Sequence, residues 1–294
     1  MKCSNPLGIV PRGTIAANRE LINGQFVYSD GKEYWNESEV RLVPCGKCVW
    51  CREQNAMQWS FRCQLEAKYW KESCVLTLTY AVSPRSVVKR DIQLFIKRLR
   101  KALEPDKISY FCAAEYGSQF KRPHYHMIVF GYSPDDAVFV FTKNGKNYYR
   151  SDFIDKLWNY QGMVTIDLKA SSEAIGYVVG YTLGKCFMEV PKGCEQPFSL
   201  MSRRPAIGKK YLDDNMDLIY EHDKVYVNGK AVRPPKYFDR KFEECVPREI
   251  YEKLKLKRSS QIDDSMSRQD FEDQSRYRAK RKFDEWRDSR KSFI

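Results

Sequence analysis

The chain has 294 residues, 43% hydrophobic and 30% charged, enough for a sizeable core beneath a strongly ionic surface. Its 51 Lys and Arg outnumber 38 Asp and Glu, and the net charge of +13 points to a polyanion, because side chains that neutralise phosphates release condensed counterions. No run approaches the roughly eighteen apolar residues of a bilayer span, and Met1-Lys2-Cys3-Ser4-Asn5-Pro6 lacks the apolar core of a signal peptide; the expectation is a cytoplasmic protein with no membrane partner.

Residues 1 to about 44 read as irregular, with scattered Gly, Pro and Asn. Cys45, Cys48 and Cys51 follow at C-x2-C-x2-C spacing, and a helix is predicted from about Glu53 to Lys71, with Met57, Phe61, Leu65 and Tyr69 recurring at i+4. Cys74 to Tyr80 is rich in β-formers and reads as a strand. Asp91 can cap a helix running to Leu103, whose apolar face is Ile92, Phe95, Ile96 and Leu99. Ile108 to Glu115 reads as a strand, 117–123 as a turn, and His124 to Phe130 as a second strand ended by Gly131. A loop or short hairpin is expected around Asn144-Gly145, then a short helix capped by Ser151, a strand from Val164 to Leu168, and a helix from Ser171 or Ser172 to about Lys185. The order β-α-β-β-α-β-α predicts an α+β fold, a ferredoxin-like split β-α-β antiparallel sheet with the two central strands as a hairpin. Beyond about residue 240 apolar positions become sparse, which reads as a charged helical C-terminal arm, only partly ordered.

Two segments carry chemistry. The chain holds only three histidines, and His124 and His126 lie two apart. On a strand, residues i and i+2 share a face, so both imidazoles can reach one cation while Tyr125 points the other way. Glu115, near the end of the preceding strand, can stand beside them across the hairpin. Two histidines and a carboxylate suit a divalent cation with open positions; mixed N/O ligation fits Mn²⁺ naturally and admits Mg²⁺. The second segment is Ala174 to Lys185. Tyr177, Tyr181 and Lys185 fall at i, i+4 and i+8 on one helix face. A tyrosine oxygen can attack phosphorus and form a phosphotyrosine, and a lysine or metal nearby would favour the phenolate of a group whose ordinary pKa is about 10. Gly176, Gly180 and Gly184 repeat at the same interval, which suggests close approach of that face to the sheet or to a DNA backbone.

Together these segments resemble the HUH superfamily of rolling-circle replication initiators, most nearly those of small single-stranded DNA phages, the gokushovirus type of microvirus. The likeness runs from about Cys45 to Tyr211. Leu76-Thr77-Leu78-Thr79-Tyr80 resembles the family's first motif strand, Glu115-Tyr116-Gly117 with Arg122-Pro123-His124-Tyr125-His126 its metal motif, and Tyr177 with Tyr181 its paired tyrosines. Phe198 to Tyr211, with Met201-Ser202-Arg203-Arg204-Pro205 and Gly208, resembles a downstream block of the phage proteins. Many relatives carry a lysine directly before the second tyrosine, where this chain has Gly180; Lys185 would serve instead. The resemblance implies an HUH nuclease domain over residues 73–240, between an N-terminal segment (1–72) and the arm (241–294). It also implies nicking of single-stranded DNA at a viral origin, a 5′-phosphotyrosine with a free 3′-OH, and rejoining of the strand to a circle. With no G-x-x-x-x-G-K-[ST] phosphate loop in the chain, host helicase and polymerase are implied partners, in the cytoplasm of a bacterial host.

Cys3 can join Cys45, Cys48 and Cys51 as four thiolates for structural zinc, although three-apart cysteines also suit an iron–sulfur cluster or plain packing. Lys121, Arg122, Arg203 and Arg204 are the candidate DNA contacts, and further basic runs lie at 97–101 and 276–282. A non-catalytic basic nucleic-acid-binding protein would explain the charge but not the ordered histidine and tyrosine pairs. A relaxase or transposase of the same chemistry would lack the downstream block.

Overall fold

The structure, a computed structural model, describes residues 7–9, 15–16, 18–23, 25–29, 33–36, 39–117, 119–143, 145–184, 190–260, 277 and 281. They fall into two compact units, one reaching Asn55 and one spanning Ala56 to Ser260. Among the described residues no helix is long and apolar enough to cross a membrane.

The first unit is not irregular, as its sequence suggests. It holds β1 (Leu7–Ile9), β2 (Ile15–Ala16), β3 (Asn18–Ile22), β4 (Gln25–Ser29), β5 (Tyr34–Asn36) and β6 (Arg41–Val43). These pair as two small sheets, ordered β2-β1-β6 and β3-β4-β5. Strands of two to five residues are too short to register an alternating pattern. Tyr28 and Val40 are buried, with Trp35 and Leu42 packed on them. A side chain on Gly8 would stand 2.7 Å from the Tyr28 ring, so this strand position requires glycine. Helix α1 (Val49–Ala67) opens four residues ahead of its predicted start and takes Cys51 into its first turn.

The second unit continues with β7 (Ser73–Leu78), α2 (Lys89–Ala102), β8 (Ser109–Tyr116), β9 (Pro123–Phe130), β10 (Val138–Lys143), β11 (Lys146–Arg150), α3 (Asp152–Leu157), β12 (Val164–Asp167), α4 (Ser172–Gly184) and β13 (Ser199–Met201). It ends in α5 (Lys209–His222), β14 (Val225–Val227), β15 (Lys230–Val232), α6 (Lys236–Cys245) and α7 (Arg248–Ser259). Seven strands form one antiparallel sheet in the order β10-β11-β12-β7-β9-β8-β13. At its centre β8 and β9 make the expected hairpin, and β7 lies between β9 and β12. The Asn144-Gly145 hairpin is β10–β11; it extends one edge, and β13 extends the other.

One face of the sheet is closed by a single core. Leu76, Leu78, Cys112, Ala114, Tyr125, Met127 and Val129 from the strands meet Ile92, Phe95, Ile96 and Leu99 of α2 and Ile154 and Trp158 at α3. Ser151 caps α3, its hydroxyl accepting from the Ile154 N–H at 3.1 Å. Asp91 does not cap α2. The cap residue is Val88, without a side-chain bond, and Asp91 instead accepts the Tyr80 hydroxyl at 2.6 Å. A second cluster joins Leu65 of α1 to Leu212, Ile219, Val225, Val227 and Phe238. The chain to Ser260 is better ordered than its composition suggests: Arg258 of α7 is buried, donating to both Asp223 and Asp239.

Candidate metal centre and tyrosine helix

The β8–β9 register sets Glu115 opposite His124 and Ala113 opposite His126, and β7 sets Thr77 on the far side of His126. Directly opposed residues share a face, so the alternation of β9 aims both imidazoles at one carboxylate. His124 Nε2 lies 2.6 Å and His126 Nε2 3.6 Å from Glu115 Oε1. One potential ligand atom from each of the three lies within 4.8 Å of the others.

The remaining ring nitrogens are held from behind. His124 Nδ1 donates to the Arg122 carbonyl at 3.1 Å, which puts that proton on Nδ1 and leaves Nε2 as the ligating atom. His126 Nδ1 shares a hydrogen bond of 3.2 Å with Thr77 Oγ1. Burial of Glu115 would raise its pKa, but the charge of His124 and hydrogen bonds from both imidazoles outweigh that and hold the carboxyl well below the usual carboxylate range. The result is an ionised carboxylate with two aligned imidazoles, a donor set that fits a hard-to-borderline divalent cation.

Helix α4 lies over the same face, against β8 and β9. Ala174, Ile175, Val178 and Val179 are buried beneath it. This leaves Tyr177 at the rim, half-buried, with its ring centroid 5.9 Å from that of His126 and nearly perpendicular to it. Tyr181 lies one turn further along α4, with its side chain outside the described residues, as is all of Lys185. A side chain added at Gly176 would meet nothing within 4 Å, so packing on the sheet does not require that glycine.

The basic candidates are spread out. Lys121 is exposed in the β8–β9 turn at φ 52°. Arg122 braces that turn, donating to the carbonyls of Tyr80 at 2.6 Å and Ala81 at 3.2 Å. Arg203 and Arg204 are exposed just beyond β13, at the sheet edge. A groove of about 510 Å³ lined by Lys97, Arg100, Lys101 and Tyr110 runs along α2. Cys45, Cys48 and Cys51 form a separate cluster, while Cys3 lies outside the described residues. Two supporting residues carried no signal of their own in the sequence. Thr77 is visible only once the β7–β9 register is known. Tyr125 turns out to be a core strut: its hydroxyl accepts the Val88 N–H at 2.7 Å and pairs with the Tyr80 hydroxyl at 2.8 Å.

A family model described as Replication-associated protein ORF2 matches residues 73–185, which contain the histidine strand and α4. Replication-associated protein VP4 of Bdellovibrio phage phiMH2K is 31% identical over 271 residues, covering 84% of this chain and 82% of its own length. Replication-associated protein ORF2 of Spiroplasma virus 4 is 31% identical, over 85% of this chain and 83% of its own. Replication-associated protein ORF4 of Chlamydia phage 1 is 29% identical over 67% of this chain and 52% of its own. The chain belongs to this family of phage replication-associated proteins, the replication initiators of small single-stranded DNA phages. No solved structure matches it.

Proposed function

We propose that the chain is an HUH endonuclease and strand transferase that nicks single-stranded DNA at the viral origin through a tyrosine nucleophile. The observation that carries this reading is the convergence of Glu115, His124 and His126 on one sheet face, with the Tyr177 ring 5.9 Å from His126. The antiparallel order β12-β7-β9-β8, with α2 joining β7 to β8, supports the split β-α-β core of that class. Residues 73–240 would be the nuclease domain.

Glu115, His124 and His126 would hold Mg²⁺ or Mn²⁺, which when bound would polarise the scissile phosphate. The phenol oxygen of Tyr177 or Tyr181 attacks the phosphorus; a Tyr O–P bond forms and the P–O3′ bond breaks. The phenol proton is lost, and the leaving oxygen takes up a proton as the free 3′-OH. In the reverse sense a 3′-OH attacks the phosphotyrosine and closes the strand to a circle. Two tyrosines one turn apart give two nucleophiles on one face, as alternating cleavages need. Lys185 would favour the phenolate. Lys121, Arg122, Arg203 and Arg204 would meet backbone phosphates, with Arg122 also bracing the turn. Host helicase and polymerase would supply unwinding and synthesis, in the cytoplasm of the bacterial host.

The test is incubation with single-stranded genome segments and Mn²⁺ or Mg²⁺, followed by denaturing gels. A covalent protein–DNA adduct is expected, lost in Tyr177→Phe/Tyr181→Phe together and on chelation. Cleavage that survives the double substitution would overturn the tyrosine assignment.

A further inference from the structure

We propose that Cys45, Cys48 and Cys51 hold a mononuclear zinc ion, a second metal centre chemically distinct from the Glu115/His124/His126 set and independent of the nuclease reading. The sulfurs of Cys45 and Cys51 lie 4.0 Å apart. All three sulfurs lie within 4.8 Å of one another. Tetrahedral zinc with bonds of about 2.3 Å sets its thiolates roughly 3.8 Å apart. A cubane cluster seats its cysteines on separate irons, which holds their sulfurs further apart than a single shared ion does.

The backbone is arranged to receive negative sulfur. The N–H groups of Lys47 and Cys48 point at Cys45 Sγ, at 3.4 and 3.3 Å, and the Cys51 N–H points at Cys48 Sγ at 3.5 Å. A thiol is a weak acceptor and a thiolate a strong one, so three N–H···S contacts in seven residues favour the deprotonated form. Gly46, at φ +71°, lets the chain fold back tightly enough to aim them. Cys51 sits in the first turn of α1, at the positive end of the helix dipole, and that turn holds no acidic residue. Three thiolates on Zn²⁺ leave one net negative charge, which Lys47 and Arg52 offset. Binding displaces three thiol protons to solvent, and a fourth donor completes the tetrahedron. Cys3 is the sequence's candidate for that position.

The ion would pin the end of β6 to the start of α1 and so fix a unit whose own core is small. The test uses the full chain carrying His124→Ala and His126→Ala, which silences the other site, so zinc content reports the cysteines alone and failure here leaves the nuclease reading untouched. Metal analysis should find about one zinc per chain, released by a mercurial thiol reagent, with X-ray absorption showing at least three sulfur neighbours near 2.3 Å. Cys48→Ser should cut the zinc content to below about a tenth. Should that variant fail to fold, cobalt substitution of the unaltered chain should still give thiolate-to-cobalt charge-transfer bands. Zinc-free protein with thiols open to a disulfide reagent, iron with sulfide in place of zinc, or full zinc retention in a folded Cys48→Ser would each overturn the proposal.

Discussion

On β9, Tyr125 enters one face of the sheet and His124 and His126 enter the other, and the two sides settle their polar groups differently. On the closed face the Tyr125 hydroxyl binds Tyr80 and the Val88 backbone, Tyr80 binds Asp91, and the Trp158 indole donates to the Thr79 carbonyl at 2.8 Å. These polar partners lie within the protein and lock the start of α2 to the sheet. On the open face only the outer nitrogens of the imidazoles are tied down, by Thr77 and the Arg122 carbonyl, while both Nε2 atoms converge on Glu115. One strand thus carries a fastening on one side and a set of aimed ligands on the other. Substitutions should separate accordingly, into losses of stability and losses of activity.

The largest effect belongs to the closed face. Trp158→Ala should cost about 3–5 kcal/mol of unfolding free energy, measured by urea titration, with cleavage lost only in step with folding. An equally large fall in metal affinity in the protein that remains folded would break the separation. On the open face, His126→Ala should lower metal-dependent cleavage by roughly a hundredfold or more while the urea midpoint moves little. Tyr125→Phe should cost about 1–3 kcal/mol, because it strands the Val88 N–H and the Tyr80 hydroxyl, and should leave cleavage by the folded protein unchanged. The smallest effect is expected for Thr77→Val: about a tenfold loss of metal affinity by calorimetry, with unfolding barely altered. An unchanged affinity there would mean that Thr77 does not orient His126.

Much of this division was legible in the sequence, since it rests on the two-residue period of a strand. His124, Tyr125 and His126 fall on their faces by alternation alone, and the Asn144-Gly145 turn and Ser151 cap are equally local signals. What stayed hidden depends on partners distant in sequence. Asp91 looks like a cap because nothing nearby announces that Tyr80 will claim it. Arg122 looks like a free phosphate ligand until the turn brings its guanidinium to the carbonyls of Tyr80 and Ala81. The glycine repeat in α4 suggested tight packing on a neighbour, yet Gly176 faces open space. The six short strands of the first unit left no readable period.

The buried guanidinium of Arg258 sets a lower bound on what can be trimmed from the nuclease half. It neutralises Asp223 and Asp239, carried by the end of α5 and by α6, from a helix whose composition invites removal as a charged tail. A fragment ending before α7 would keep both carboxylates at close quarters without their counter-charge, a cost of several kcal/mol for a buried pair. The shortest piece worth preparing therefore runs through Ser260.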